Sequence, residues 1–192
     1  MSPHAPYHHG NLPSTIISAA LEVIAESGPS ALSLRDLARR AGVSHAAPAH
    51  HFGDRAGLLT AVAVQGFGLL ADALAEAQRQ TGDFLEVGVA YVGFAVGNPA
   101  HFAVMFRPEL YRADDPELIA AKARAGESLR QGVAPFAASE SGPASQDAAL
   151  AAWSLVHGFA TLWLSGNLPA GLPADPRQAA RGVASVLFSG WG

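Results

Sequence analysis

Eight histidines and no cysteine set the chemistry open to this sequence. Without a thiol there is no disulfide, no thiolate nucleophile, no Cys-based zinc site and no thiol redox sensor. Six of the histidines fall in the first sixty residues: His4, His8, His9, His45, His50 and His51. Metal binding requires converging rings. His50 and His51 are adjacent, so on a helix they point ~100° apart and cannot share an ion as an i, i+4 pair can. A square-planar copper or nickel site at the N-terminus would need an amide nitrogen that Pro3 cannot give. No metal and no cofactor is therefore expected. The P-loop, G-x-G-x-x-G, G-x-S-x-G and H-E-x-x-H patterns do not occur, which removes the commonest enzyme signatures. What remains for the histidines is hydrogen-bond donation, to phosphate oxygens or to the N7 and O6 edge of guanine. Imidazole gains charge as pH falls through ~6.5, so a histidine–phosphate contact is expected to strengthen on acidification.

A second group lies further along the chain. Tyr91, Phe94, Phe102, Met105, Phe106, Trp153 and His157 combine apolar bulk with few polar atoms, the makeup of a small-molecule cavity. The same residues at helical spacing also serve as plain core. His157 follows Trp153 by one helical turn and so shares its face, which makes it the leading polar candidate. His101 and Arg107 are candidates to meet an anion at the cavity mouth.

Both groups need elements to hold them. The stretch 33–52, SLRDLARRAGVSHAAPAHHF, reads as two short helices and a tight turn. Ser33 caps the first, Asp36 suits its electropositive end, and Leu34, Leu37, Ala38 and Ala41 form its apolar stripe. Gly42 permits the exit, Val43 plugs the corner, and Ser44 caps a second helix from His45 to His51, whose opening turn Pro48 tightens. Such a pair is a helix-turn-helix, able to place its second helix in a DNA major groove, or an ordinary helical hairpin. Before it, residues 1–12 show no periodicity and form an arm, and Ser14–Glu26 is an amphipathic helix burying Ile17, Ala20, Leu21 and Ile24.

After it, Asp54 caps a long helix over 55–80, with Gly66 and Gly68 marking a bend or a close helix crossing. Asn98-Pro99, Asp115-Pro116 and Asp175-Pro176 each set a capping residue before a proline that opens a helix. The later helices are placed at 83–97, 99–107, 116–138, 146–166 and 176–189, with Pro135 kinking or ending the third. The fold class is all-α, about nine helices: a head over 1–54 and a larger helical domain over 55–192, joined by the 55–80 helix. Helix 146–166 is apolar nearly all round, and helix 176–189 carries small residues that allow close approach. Phe159, Leu162, Trp163, Val183, Val186 and Leu187 are thus candidates for a four-helix interface between two copies of the chain.

Net charge is −4, which gives nucleic-acid binding no support by itself. The first sixty residues balance four Arg against four acids, and the remainder holds eight bases against twelve acids. No uninterrupted apolar run reaches the ~18–20 residues of a membrane span; the stretch 84–97 comes closest but is short and carries Glu86. No secretory signal pattern opens the chain, so a cytoplasmic location without membrane contact is expected.

The runs YHHGNL, AGVSHAAP and HHFGDRAGLL, with the later WSLVHG, resemble the TetR family of bacterial transcription regulators. The subgroup resembled is that whose C-terminal domain carries a Trp-His-Gly motif, here Trp153, His157 and Gly158. The resemblance spans nearly the whole chain. It implies a homodimeric DNA-binding regulator, with an operator as one partner and a small-molecule effector as another. It also implies that Ser44, His45, Ala46, Ala49 and His50 face base edges. Tyr7, His8 and His9 of the arm, with Ser33, His51 and Arg55, would then position the head on phosphates. Ala49 stands where the family commonly has Tyr, Pro13 where the arm often has Arg, and Arg55 at the usual Lys position. A helical enzyme or metal protein, and a helical sensor without DNA binding, remain as rival readings.

Overall fold

The computed structural model describes residues 12–133 and 143–188. Nine α-helices run through them: α1 (Leu12–Ser27), α2 (Leu34–Arg40), α3 (Ala47–Phe52), α4 (Arg55–Thr81), α5 (Phe84–Gly97), α6 (Pro99–Met105), α7 (Pro116–Val133), α8 (Pro143–Leu164) and α9 (Pro176–Phe188). Short 3-10 turns lie at Pro29–Ala31 and Pro108–Leu110, and no strand occurs among the described residues. Pro135 and the arm residues Tyr7, His8 and His9 fall outside the described residues, and α7 is described as far as Val133.

The caps largely follow sequence chemistry. Asp83 Oδ1 accepts from Leu85 N at 2.9 Å, Asp115 Oδ1 from Glu117 N at 3.0 Å, and Asp175 Oδ1 from Arg177 N at 2.9 Å. Asn98 differs. Its side-chain amide donates back to Phe94 O at 3.0 Å, so it closes the end of α5 rather than capping α6. Pro99 then forces a break, and α5 and α6 meet at 103°.

α4 is the axis of the molecule. It packs on α7, α5 and α6, while α8 and α9 lie against α5. Leu58, Leu59, Val62 and Ala63 are wholly buried along it. Among the described residues α4 is the one single helix long and apolar enough to cross a membrane, and the 84–97 stretch reaches that length only together with α6, across the 103° break; 56% of the α4 window is buried by neighbouring helices. Gly66 marks a close crossing rather than a bend. A Cβ placed there would lie 2.7 Å from Met105 Sδ and 2.9 Å from Met105 Cγ on α6. The head joins the body through α1, which packs on α4 and α6. The buried face of α1 is centred on Ile16 and Ala20, leaving Ile17 and Leu21 half-buried.

Candidate DNA-reading head and ligand cavity

In the head, α2 begins where Ser33 Oγ accepts from Asp36 N at 3.5 Å. It ends in a Schellman arrangement: Val43 N donates to Ala38 O at 3.0 Å and Gly42 N to Arg39 O at 3.4 Å, with Gly42 at φ +66°. Ser44 does not cap the next helix. α3 starts at Ala47, two residues later than the sequence reading, and Ala46 precedes it without a side-chain cap. Pro48 explains the shift. It has no N–H, so it is comfortable only in a first turn, and a helix begun at His45 would leave Ser44 O without its regular donor. Ala47 N instead closes a tight turn onto Ser44 O at 3.0 Å.

This start fixes what the unit shows. Ala47 and Pro48 are buried, whereas Ser44, His45, Ala46, Ala49, His50 and His51 are all exposed. The His50 and His51 rings meet edge to face, centroids 5.5 Å apart. The head's cations are largely engaged. Arg40 grips Glu26 at 2.7 and 3.2 Å, Arg39 lies 3.5 Å from Asp36, and Arg55 Nη2 donates to Pro29 O at 2.8 Å. The start of α4 is less open to phosphate than the sequence implied. Asp54 Oδ1 already accepts from Gly57 N at 2.8 Å, and that N–H together with Arg112 holds the Asp54 carboxyl below its usual range.

In the body, α4, α5, α7 and α8 enclose an open cavity of about 590 Å³. Five of the seven candidates line it: Tyr91, Met105, Phe106, Trp153 and His157. Phe94 and Phe102 do not. Phe94 is core, and Phe102 backs the wall, its ring 5.3 Å from His157 and 5.1 Å from Phe106. Phe67, Leu70 and Leu74 of α4, Phe84 of α5, Tyr111, and Lys122 and Ala125 of α7 also line it. Sequence reasoning missed these because a cavity wall on α4 or α7 has the same periodicity as core.

The polar atoms of the wall are few. Tyr91 Oη and His157 Nδ1 are 2.8 Å apart. Burial raises the Tyr91 phenol and lowers the His157 imidazole, so both are neutral near pH 7. Tyr111 Oη donates to Met105 O at 2.8 Å. His101 and Arg107 are not at the mouth: His101 is buried with Nε2 3.1 Å from Gln65 Oε1, and Arg107 is paired with Glu109 at 2.9 Å.

One connection links cavity and head. Tyr111 lines the cavity, and its neighbour Arg112 clasps the first two turns of α4. Arg112 N donates to Thr60 Oγ1 at 3.0 Å, and its guanidinium lies 3.1 Å from Asp54 Oδ2, directly after α3.

On the outer side, α8 exposes Leu150, Trp153, Leu162 and Leu164, and α9 exposes Val186. Trp163 and Val183 are half-buried. Phe159 corrects the sequence reading: it is 6% exposed and faces its own core. The side chain of Leu187 lies outside those described.

Comparison with known proteins accounts for both halves. Residues 84–187 match the model of a tetracycline-repressor-like C-terminal domain, and residues 16–62 match that of bacterial regulatory proteins of the tetR family. No curated protein matches the chain. A solved protein of unknown function from Rhodococcus sp. RHA1 is 32% identical with TM-score 0.80, over 97% of this chain and 98% of that one. A TetR-family regulator, PfmR from Thermus thermophilus, shares the fold at 22% identity and TM-score 0.70, over 91% of this chain and 97% of its own. A tetR-family regulatory protein from Rhodococcus RHA1 does so at 23% and 0.73, over 95% and 98%. The chain belongs to the TetR family of bacterial transcription regulators.

Proposed function

We propose that the protein is a homodimeric repressor, released from a two-fold symmetric operator when a small molecule enters the body cavity. The observation that carries this reading is the continuity from Tyr111 in the cavity wall, through Arg112, to Asp54 and Thr60 at the head end of α4. A ligand that displaces Tyr111 pulls on this clasp and changes the angle at which α3 meets DNA. Two heads must lie roughly 34–36 Å apart to enter successive major grooves, so a small change of angle breaks the fit. Switching a 1:99 population to 99:1 takes ~5.5 kcal/mol, and the ligand must prefer the released state ~10⁴-fold.

In this reading Ser44, His45, Ala46, Ala49 and His50 meet base edges, with histidines donating to guanine and alanine methyls packing on thymine. Ser33, His51 and Arg55 meet phosphates. Arg55 acts through the N–H groups that Pro29 does not use, since α4's own N-terminus is taken up by Asp54. The exposed apolar residues of α8 and α9, Leu162 and Val186 among them, support the dimer.

The test is fluorescence anisotropy of labelled DNA flanking the protein's own gene, across a salt series and with effector candidates. Specific binding that saturates at one dimer per site supports the reading. Loss of all specific binding at every salt concentration refutes it in favour of a helical sensor that does not read DNA.

A further inference from the structure

The sequence contains one lysine, Lys122, and it stands on the cavity wall. All eight ion pairs among the described residues use arginine. The Lys122 ammonium has no described carboxylate within pairing distance. It is held instead by π faces, 4.9 Å from the Tyr111 ring centroid and 5.6 Å from that of Phe67. Among the described residues no Asp or Glu lines the cavity. An ammonium over two rings, at the edge of an apolar chamber, carries a charge that the fold leaves to be neutralised.

We propose that the effector is an apolar molecule bearing one carboxylate, with its hydrocarbon body among Phe67, Phe84, Phe106 and Trp153 and its carboxylate against Lys122. This rests on the cavity being the effector site. The Tyr91–His157 pair adds a second, weaker discriminator. Two neutral groups sharing one hydrogen bond retain a donor hydrogen whichever tautomer His157 adopts, while the Trp153 side chain already bonds the Tyr91 hydroxyl. That suits a hydroxyl or carbonyl oxygen on the ligand body rather than a second charge. A dianion would leave one negative charge against apolar wall, so monoacids are preferred. The site also explains how binding reaches the clasp, because the ring under the Lys122 ammonium is that of Tyr111, the neighbour of Arg112. A carboxylate that draws Lys122 away from this ring releases Tyr111 to move.

The experiment uses the full-length dimer and the neutral dye N-phenylnaphthylamine as cavity reporter. It is displaced by decanoate, decanol or methyl decanoate, in wild type and in Lys122→Met. The expected result is that decanoate competes roughly ten- to a hundredfold better than decanol in wild type, the range of a charge-assisted hydrogen bond. Lys122→Met removes that preference while keeping decanol affinity within about threefold. Lys122→Arg restores part of it. Equal competition by acid and alcohol, or an acid preference that survives Lys122→Met, overturns the proposal and leaves the cavity reading standing. Failure of the neutral dye to bind overturns the cavity reading itself, and the proposal with it.

Discussion

Two glycines two residues apart on α4 should respond to the same substitution with opposite sign. At Gly68 an added Cβ would find only Arg124 Nη2, at 3.8 Å, which is ordinary contact. Gly68→Ala should therefore gain most of the helix-propensity difference, about 1 kcal/mol. At Gly66 the same methyl would lie 2.7 Å from Met105 Sδ, 2.9 Å from Met105 Cγ and 3.2 Å from His101 Cβ. Met105 is wholly buried, so its Cγ cannot swing into solvent. Overpacking of this kind costs about 1–3 kcal/mol, against the same ~1 kcal/mol propensity gain. Gly66→Ala should thus lose about 1 kcal/mol net, giving ~2 kcal/mol between the variants. For a chain of this length that is a difference of roughly 4–8 °C in melting temperature. Urea unfolding monitored by circular dichroism, with unchanged slope, is the assay. Equal shifts in the same direction would refute the close α4–α6 crossing. The crossing has functional weight because Met105 lines the cavity and α4 carries the head.

Four further outcomes follow from the geometry. Arg112→Ala should leave operator affinity without effector within about threefold while shrinking the effector response at least tenfold in a reporter titration; an unaltered response removes the clasp from the mechanism. Ala125→Phe projects a phenyl group into the cavity, should raise stability by up to about 1.5–3 kcal/mol and should abolish dye binding; retained dye binding would show that the chamber lies elsewhere. Leu162→Glu places a charge on the exposed α8 face and should yield monomers in sedimentation analysis, a persistent dimer counting against that interface. Acidity should lower stability. His101 and His157 are held below their ordinary values by burial, so the unfolded chain takes up protons that the folded chain does not. Their contribution to stability is full above ~6.5 and is lost as pH falls toward their lowered folded values, which acid titration of the melting temperature will register.

The head was legible because its signals are local. Ser33 and Asp54 act on amides three residues away, and Gly42 on its own dihedral, so each can be read without knowing the fold; Asp115 and Asp175 mark helix starts in the body in the same way. Pro48 was read as tightening a turn, which it does, but the shift of the α3 start to Ala47 required weighing that proline against the Ser44 cap. The cavity was only half legible. Tyr91, Trp153 and His157 stand out by type, whereas Leu70, Leu74 and Ala125 become wall residues only because four helices happen to leave space between them. Phe94, Phe102 and Phe159 were misplaced for the same reason: an aromatic ring in a helix faces core or chamber according to its neighbours, and periodicity reports neither. Arg112 carried no sequence signal at all, since its partners Asp54 and Thr60 lie more than fifty residues away.

The engaged cations of the head have a consequence for how such a protein searches a chromosome. Affinity for arbitrary DNA comes almost wholly from counterions released as phosphates are neutralised, and it falls steeply with salt in proportion to the charges spent. With Arg39 facing Asp36 and Arg40 gripping Glu26, two of the head's four arginines, Arg35 and Arg55, stand outside the ion pairs of the described residues, so this head has few charges to spend. Its log–log salt slope should be shallow, and little of the protein would be detained on the vast excess of wrong sequence. A regulator built this way needs fewer copies per cell to keep one site occupied, and its occupancy is buffered against changes in intracellular ion concentration.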